Sequence, residues 1–365
     1  MPDDCSSIDA ALFEENERTT SDLDGRQICS IGAMDLKAGG RLESVEVAYE
    51  TWGTLNSAGD NAILVCHALS GDAHAIGWWD RLVGPGKAID TDRYYVVGSN
   101  ALGGCQGSTG PSSLSPDGSR YGSRFPVVQL EDITVAQARL ADHLGVERWR
   151  MVCGGSMGGM NALCWSVAFP DRVARVWATA SCAAHSAMQI GFNESGRQAI
   201  MRDASFMGGD YYAHAGPVNG LAVARMIGHL SYLSEHSFEQ KFGRRLQDRD
   251  KFGFDGGIEF AVESYLNYQG DKFNGRFDAN SYLVLTRAID YFELISFESA
   301  QADFLFTSFD SDWIYPTHQS RSLQAMAESA GLRSAFYEVS SPWGHDSFLL
   351  ESERQGALVR EFLGS

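Results

Sequence analysis

The sequence predicts an α/β fold: a mostly parallel sheet with helices on both faces, interrupted late in the chain by a helical insertion. Three observations carry this. From about residue 61 to 181, short continuous apolar runs alternate with segments of helical spacing, and a continuous apolar run is what a strand buried on both faces looks like. Between about 183 and 296 the strand-like runs thin out and helical ones dominate, before the first rhythm resumes at 302. Finally, VCGGSMGGMNAL at 152–163 frames one serine with four glycines at the point where a strand gives way to a helix.

Taken in order, RLESVEVAYETWG from 41 alternates like a strand pair. NAILVCHAL (61–69) and RYYVVGSNAL (93–102) read as buried strands. TVAQARLADHLGV (134–146) places Ala136, Leu140 and Leu144 on one helical face and ends at Gly145. RWRMVCGG is a strand, MGGMNALCWSVAFP a helix stopped by Pro170, and VARVWATAS the next strand. NESGRQAIMRDA, GLAVARMIGHLSYLSE, GIEFAVESYLNYQGDKF and DANSYLVLTRAIDYFE supply the insertion's helices. ADFLFTSF (302–309), a helix from Pro316 to Ala330, the strand SAFYEVSS (334–341) and a last helix near 346–363 complete the pattern. The expected organisation is a polar lead-in over 1–25, an α/β core over 26–182 and 297–365, and a helical lid over 183–296.

Composition narrows the function. At 44% hydrophobic and 21% charged, the chain reads as an ordinary soluble globular protein. Twenty-nine basic residues against 47 acidic ones give a formal charge of −18, which repels nucleic-acid phosphates and anionic lipids, so neither is expected as a partner. The seven cysteines are scattered without a CxxC pair and are expected to be buried small residues in a reducing compartment. The acidic N-terminus lacks a secretory apolar stretch, and no apolar run is long enough to span a bilayer. The expected location is the cytoplasm. No metal site is expected: His67 and His74 lack a convincing third ligand.

Gly154-Gly155-Ser156-Met157-Gly158 fits G-x-S-x-G in the strand–turn–helix context that presents a nucleophile. A phosphate loop would need a lysine after the last glycine, and a dinucleotide loop would need an acid closing the next strand; VWATASC has none. A serine nucleophile requires a base, and the base an orienting acid. In this architecture the chain order is Ser, acid, His, each after a later strand. DSDWIYP offers Asp310 and Asp312 after the strand at 302–309, and PWGHDSF offers His345 after the strand at 334–341. For an oxyanion, the backbone N–H of Met157 follows the nucleophile, and the loop HALSGDAH after the early strand supplies a second donor, assigned to Leu69.

Beyond these residues, CHALSGDAHA, GPGKAIDTDRYYVVGSNALGGCQGSTGPSSLSP, GGSMGGM, SAMQIGFNESGRQAI, ARMIGHLSYLSE, YQGDKFNGRFDANSYLVLTRAIDYF, SDWIYP and GHDSF occur in one order over roughly residues 40–360. In these motifs the chain resembles the homoserine O-acetyltransferase family of α/β-hydrolase-fold acyltransferases. The resemblance implies acetyl transfer from acetyl-CoA, as co-substrate, to the γ-hydroxyl of L-homoserine in methionine synthesis, with no bound cofactor. It implies Ser156 as nucleophile, selects Asp312 as the acid, and makes His345 the base. It assigns substrate binding to Arg225, in ARMIGH, and to Asp346 beside the histidine. An arginine can fork onto the homoserine carboxylate and an acid can meet its ammonium. The resemblance also suggests a homodimer through the lid. Related chemistries on the same fold are succinyl transfer, acylation of serine, and plain ester hydrolysis; a non-enzymatic binding protein would have no need of the Ser156, Asp312 and His345 set.

Overall fold

A computed structural model describes residues 25–254 and 256–364; the expected polar lead-in lies almost wholly outside them. Eight strands of the described residues form one sheet. They are β1 (Gln27–Asp35), β2 (Arg41–Trp52), β3 (Ala62–Cys66), β4 (Tyr95–Ser99), β5 (Met151–Gly155), β6 (Arg175–Thr179), β7 (Asp303–Phe309) and β8 (Ser334–Val339). Their spatial order is β1-β2-β4-β3-β5-β6-β7-β8. The six from β4 to β8 are parallel, while β1 and β2 run antiparallel at one edge.

Apart from the edge strand β8, the parallel strands are buried on both faces, and their side chains divide between two cores by alternation. Ala62, Leu64 and Cys66 of β3 join one core with Val152, Val176, Phe304 and Phe306. Ile63 and Val65 join the other with Met151, Cys153, Trp177 and Leu305. Helices α1 (Leu130–His143) and α2 (Met157–Ala168) cover the first core through Ile133, Leu140, Met160 and Leu163. The C-terminal helix (Ser352–Leu363) covers the second through Val359 and Leu363.

The expected strand pair at 41–53 is instead one twelve-residue strand, β2, whose partner is β1. Residues 41–52 hold no Gly, Pro, Asn or Asp to turn the chain; the reversal lies just before them, at Gly39 and Gly40, with φ of +90° and +91°. Helix α1 starts four residues earlier than its apolar spacing predicts. Asp132 accepts the Gln129 N–H at 2.8 Å and so caps the first turn. The chain leaves α1 through Gly145 in the left-handed region, as expected.

Between β6 and β7 come α3 (Ala187–Met201), α4 (Val218–Tyr232), α5 (Glu235–Lys241), α6 (Ala261–Asn274) and α7 (Ala279–Tyr291). Helix α3 also begins before its expected start, because Ser186 and Gln189 form a reciprocal cap. Ser234 separates α5 from α4 by accepting the Ser237 N–H at 3.0 Å. Helix α4 packs between α3 and α6, and α3 also meets α7. After β7, α8 (Thr317–Ser329) matches its expected span within a residue. The final helical region is split, into 347–350 and 352–363. No helix of the described residues is long and apolar enough to cross a membrane.

Candidate active site

Ser156 lies between the last residue of β5 and the first of α2, at φ +58° and ψ −124°. For a non-glycine residue this is strained backbone, of the kind that persists only where neighbours over-determine it. Its N–H donates to the Thr179 carbonyl at 3.1 Å, and its carbonyl accepts the Ser181 hydroxyl at 3.1 Å. The surrounding glycines are required by close approach. A Cβ on Gly158 would lie 2.1 Å from the Cys66 carbonyl oxygen, and one on Gly155 would lie 2.4 Å from the Phe348 ring. Gly158→Ala is therefore expected to destabilise the fold by about 3 kcal/mol, because backbone cannot step aside as a side chain does; a denaturant midpoint checks this, and an unchanged midpoint would contradict it.

His345 sits in the turn after β8, and its Nδ1 lies 2.7 Å from Asp312 Oδ2, both side chains buried. The other Asp312 oxygen accepts the N–H groups of Ile314 at 3.1 Å and Tyr315 at 2.8 Å. A carboxylate only accepts, so Nδ1 carries the proton and Nε2 is left as the basic nitrogen. Asp310, the alternative acid, turns away and accepts the Ser341 N–H at 3.0 Å. Two aromatic residues pack against the histidine. Tyr315 stacks on the His345 ring at 4.7 Å. Phe348 packs against Gly155 and meets the His345 ring edge-on at 5.3 Å.

Met157 is the first residue of α2, so its N–H has no carbonyl one turn back. Leu69 lies in the loop after β3, whose backbone at Cys66 and His67 presses on Gly158. The same loop reaches the insertion. Arg225, buried on α4, places Nη1 3.5 Å from Ser70 Oγ and its guanidinium 4.8 Å over the Phe273 ring. Arg276 donates to the Ser70 carbonyl. Sequence reasoning assigned Arg276 and Tyr315 no role, although both stand in the motifs NGRFD and SDWIYP. Asp346 is half-buried beside His345 and occupies the N-cap position of the 347–350 turn without a capping hydrogen bond.

The insertion is fastened over the loops that carry Asp312 and His345. Ser237 donates to the Pro342 carbonyl at 2.7 Å, and Trp313 donates to the Leu233 carbonyl at 3.1 Å. Tyr232 brings its ring to 5.8 Å from that of His345. His67 is used structurally: Nε2 accepts the Ala101 N–H at 2.9 Å while Nδ1 faces the Ala68 carbonyl at 2.7 Å. Cys29, Cys66, Cys153, Cys164 and Cys182 are buried free thiols, and Cys105 is half-buried. Burial pushes the Cys182 thiol up to about 12, which keeps it an inert thiol.

Residues 61–352 match the family model described as the alpha/beta hydrolase fold. The chain is 51% identical over 346 residues to a homoserine O-acetyltransferase of Methanohalobium evestigatum, covering 90% of this chain and 71% of that protein. It is 47% identical over 351 residues to a homoserine O-succinyltransferase of Dechloromonas aromatica, covering 90% and 94%. Among solved structures, homoserine O-acetyltransferase from Bacillus anthracis superposes with a TM-score of 0.87 at 27% identity, covering 93% of this chain and 97% of that one.

Proposed function

The chain belongs to the homoserine O-acetyltransferase family of α/β-hydrolase-fold enzymes, and on that premise we propose that it moves an acetyl group from acetyl-CoA to the γ-hydroxyl of L-homoserine through an acyl-serine. The observation that carries the chemistry is the buried 2.7 Å contact of His345 with Asp312, set beside an elbow that holds Ser156 at positive φ. The relatives supply the donor and acceptor.

In the first half-reaction His345 Nε2 takes the Ser156 proton and Oγ attacks the thioester carbonyl. The N–H groups of Met157 and Leu69 hold the resulting oxyanion, each worth about 2.7–4 kcal/mol in comparable sites. The intermediate collapses, CoA leaves as its thiol with the proton from His345, and acetyl-Ser156 remains. In the second, His345 deprotonates the homoserine hydroxyl, which attacks the ester; Ser156 Oγ leaves and regains its proton. Asp312 keeps the imidazole tautomer and stabilises the imidazolium. Arg225 binds the homoserine carboxylate and Asp346 its ammonium. Arg225→Ala is accordingly expected to raise KM for homoserine about 10–150-fold with little change in KM for acetyl-CoA; a wild-type KM for homoserine in this variant would remove Arg225 from the acceptor pocket.

Residues 183–296 act as a lid that excludes water, which separates transfer from hydrolysis. Its fastening to the loops of Asp312 and His345 supports this. Met188 and Ile190 on α3 and Val223 and Leu230 on α4 are exposed, and they support a homodimer through the lid. Light scattering should return twice the chain mass; a monomer would overturn that reading. The free thiols among the described cysteines support a reducing, cytoplasmic setting.

Release of CoA thiol tests the whole reading, with acetyl-CoA or succinyl-CoA, and with homoserine, serine or no acceptor. Homoserine-dependent release from acetyl-CoA is expected. Release only from succinyl-CoA would give the reaction named for the Dechloromonas relative, and release without acceptor would mean hydrolysis.

A further inference from the structure

The imidazole of His345 is held by two different kinds of contact. Its Nδ1 lies 2.7 Å from Asp312 Oδ2, and its ring stacks on Tyr315 with centroids 4.7 Å apart and planes 19° from parallel. Tyr315 is itself buried and tied at both ends. Its backbone N–H donates to Asp312 Oδ1 at 2.8 Å, and its hydroxyl lies 2.7 Å from His185 Nε2. Behind His185 stands a second carboxylate. His185 Nδ1 lies 2.9 Å from Asp290 Oδ1, which also accepts Asn193 Nδ2 at 2.7 Å, and Asp290 Oδ2 accepts Arg197 Nη1 at 2.7 Å. The side chains of His185, Asp290 and Arg197 are all at least nine-tenths buried. Asn193 and Arg197 belong to α3, Asp290 to α7, and His185 directly precedes the α3 cap. The insertion therefore holds, through the Tyr315 hydroxyl, the ring that lies flat on His345.

We propose that Tyr315 is a positioning residue for His345, and that the insertion sets the plane of the imidazole through the His185–Asp290 pair. This rests on His345 being the base of the reaction proposed above.

The need for a second restraint is geometric. One hydrogen bond fixes how far Nδ1 stands from Asp312, but a swing of the ring about that bond still turns the Nε2 lone pair out of line. A ring packed flat on the imidazole blocks the swing, provided it does not tilt along with it. Tyr315 is kept from tilting by its bonds to Asp312 at one end and His185 at the other. The far bond has a defined direction. Burial works against a charge on Asp290, but hydrogen bonds from His185, Asn193 and Arg197 outweigh it and hold the carboxyl below its ordinary range. Asp290 therefore accepts, His185 carries its proton on Nδ1, and its Nε2 accepts the Tyr315 hydroxyl. The base of both half-reactions is thus aimed from the lid as well as from the core. Loss of the aim leaves Nε2 facing the proton it must take in fewer of its orientations, which slows both steps without weakening substrate binding.

The test combines the second-order rate at which a fluorophosphonate probe labels the full chain, steady-state acetyl transfer, the low-field NMR signal of the His345 Nδ1 proton, and the melting curve. Ser156→Ala and His345→Ala must each abolish labelling; labelling that survives either one would overturn the triad, and the proposal with it. With that control in place, Tyr315→Phe keeps the stacked ring, loses only its anchor, and should label about tenfold more slowly. Tyr315→Leu loses the stack as well and should label about a hundredfold more slowly. In both, kcat should fall in step while KM for homoserine holds, and the Nδ1 proton signal should broaden as the imidazole moves. His185→Phe should match Tyr315→Phe, and the double variant should be no slower than either, because His185 acts only through that hydroxyl. His185→Gln, whose amide can donate to Asp290 and accept from Tyr315, should restore most of the rate. If His185→Phe does not fold, the two Tyr315 variants decide alone. Either Tyr315 variant at the wild-type rate, or losses that multiply in the double variant, would overturn the positioning role while leaving His345 as the base.

Discussion

Ser156→Ala is expected to lower kcat by about 10⁶-fold, the scale of removing the serine of a comparable triad, and to abolish the burst of CoA release altogether. The loss is so large because the two half-reactions share one atom. Without Oγ there is no acyl-enzyme, and the two substrates would have to react directly across a site built to handle them in turn. The fold should tolerate the change. The positive φ of Ser156 is held by its backbone hydrogen bond to Thr179 and by the glycines around it, and alanine suffers the same strain as serine there. Mass spectrometry of the protein mixed with acetyl-CoA alone reads this directly: the wild type should gain one acetyl group on Ser156 and the variant none. An acetylated variant, or a normal burst, would sink the assignment.

Asp312→Asn is expected to cost about 10⁴-fold in kcat with a near-native structure, the scale seen for the same change in another serine triad. The cause here is legible atom by atom. Asp312 Oδ1 is committed to the N–H groups of Ile314 and Tyr315, so the asparagine oxygen is drawn to that side. The amide NH₂ then faces His345 Nδ1 and can only donate, which drives the histidine proton to Nε2. The base is then protonated at the nitrogen that must accept the Ser156 proton. Steady-state kinetics with a melting curve check this. A loss of less than tenfold in a folded variant would show that Asp312 does not set the tautomer. Asp310→Asn should leave activity near wild type, since Asp310 bonds the Ser341 N–H instead.

How much of this was legible beforehand depends on how local each cause is. The elbow could be read directly, because a strand, a G-x-S-x-G turn and a helix are adjacent in the chain; what crowds its glycines, Cys66 and Phe348, lies far from Ser156 in sequence and only the fold shows it. The placement of Ser156, Asp312 and His345 after β5, β7 and β8 was also readable, because the loops that follow parallel strands all emerge at the carboxyl edge of the sheet. Helix starts were misplaced where a polar cap, at Asp132 or Ser186, extended the helix beyond its apolar stripe. The β1–β2 edge was misread because alternation shows that a segment is a strand, not which segment pairs with it.

The sequence by itself determined the strand–helix rhythm, the nucleophile turn, the order of the three candidate residues and, through its motifs, the family. Only the tertiary structure decided that Tyr315 stacks on His345, and that Ser237 and Trp313 tie the insertion to the loops of His345 and Asp312. The physical reason is separation along the chain. Hydrogen bonds between residues about 100 positions apart leave no periodic trace, and a buried histidine reads in sequence like any other until its partners are in place.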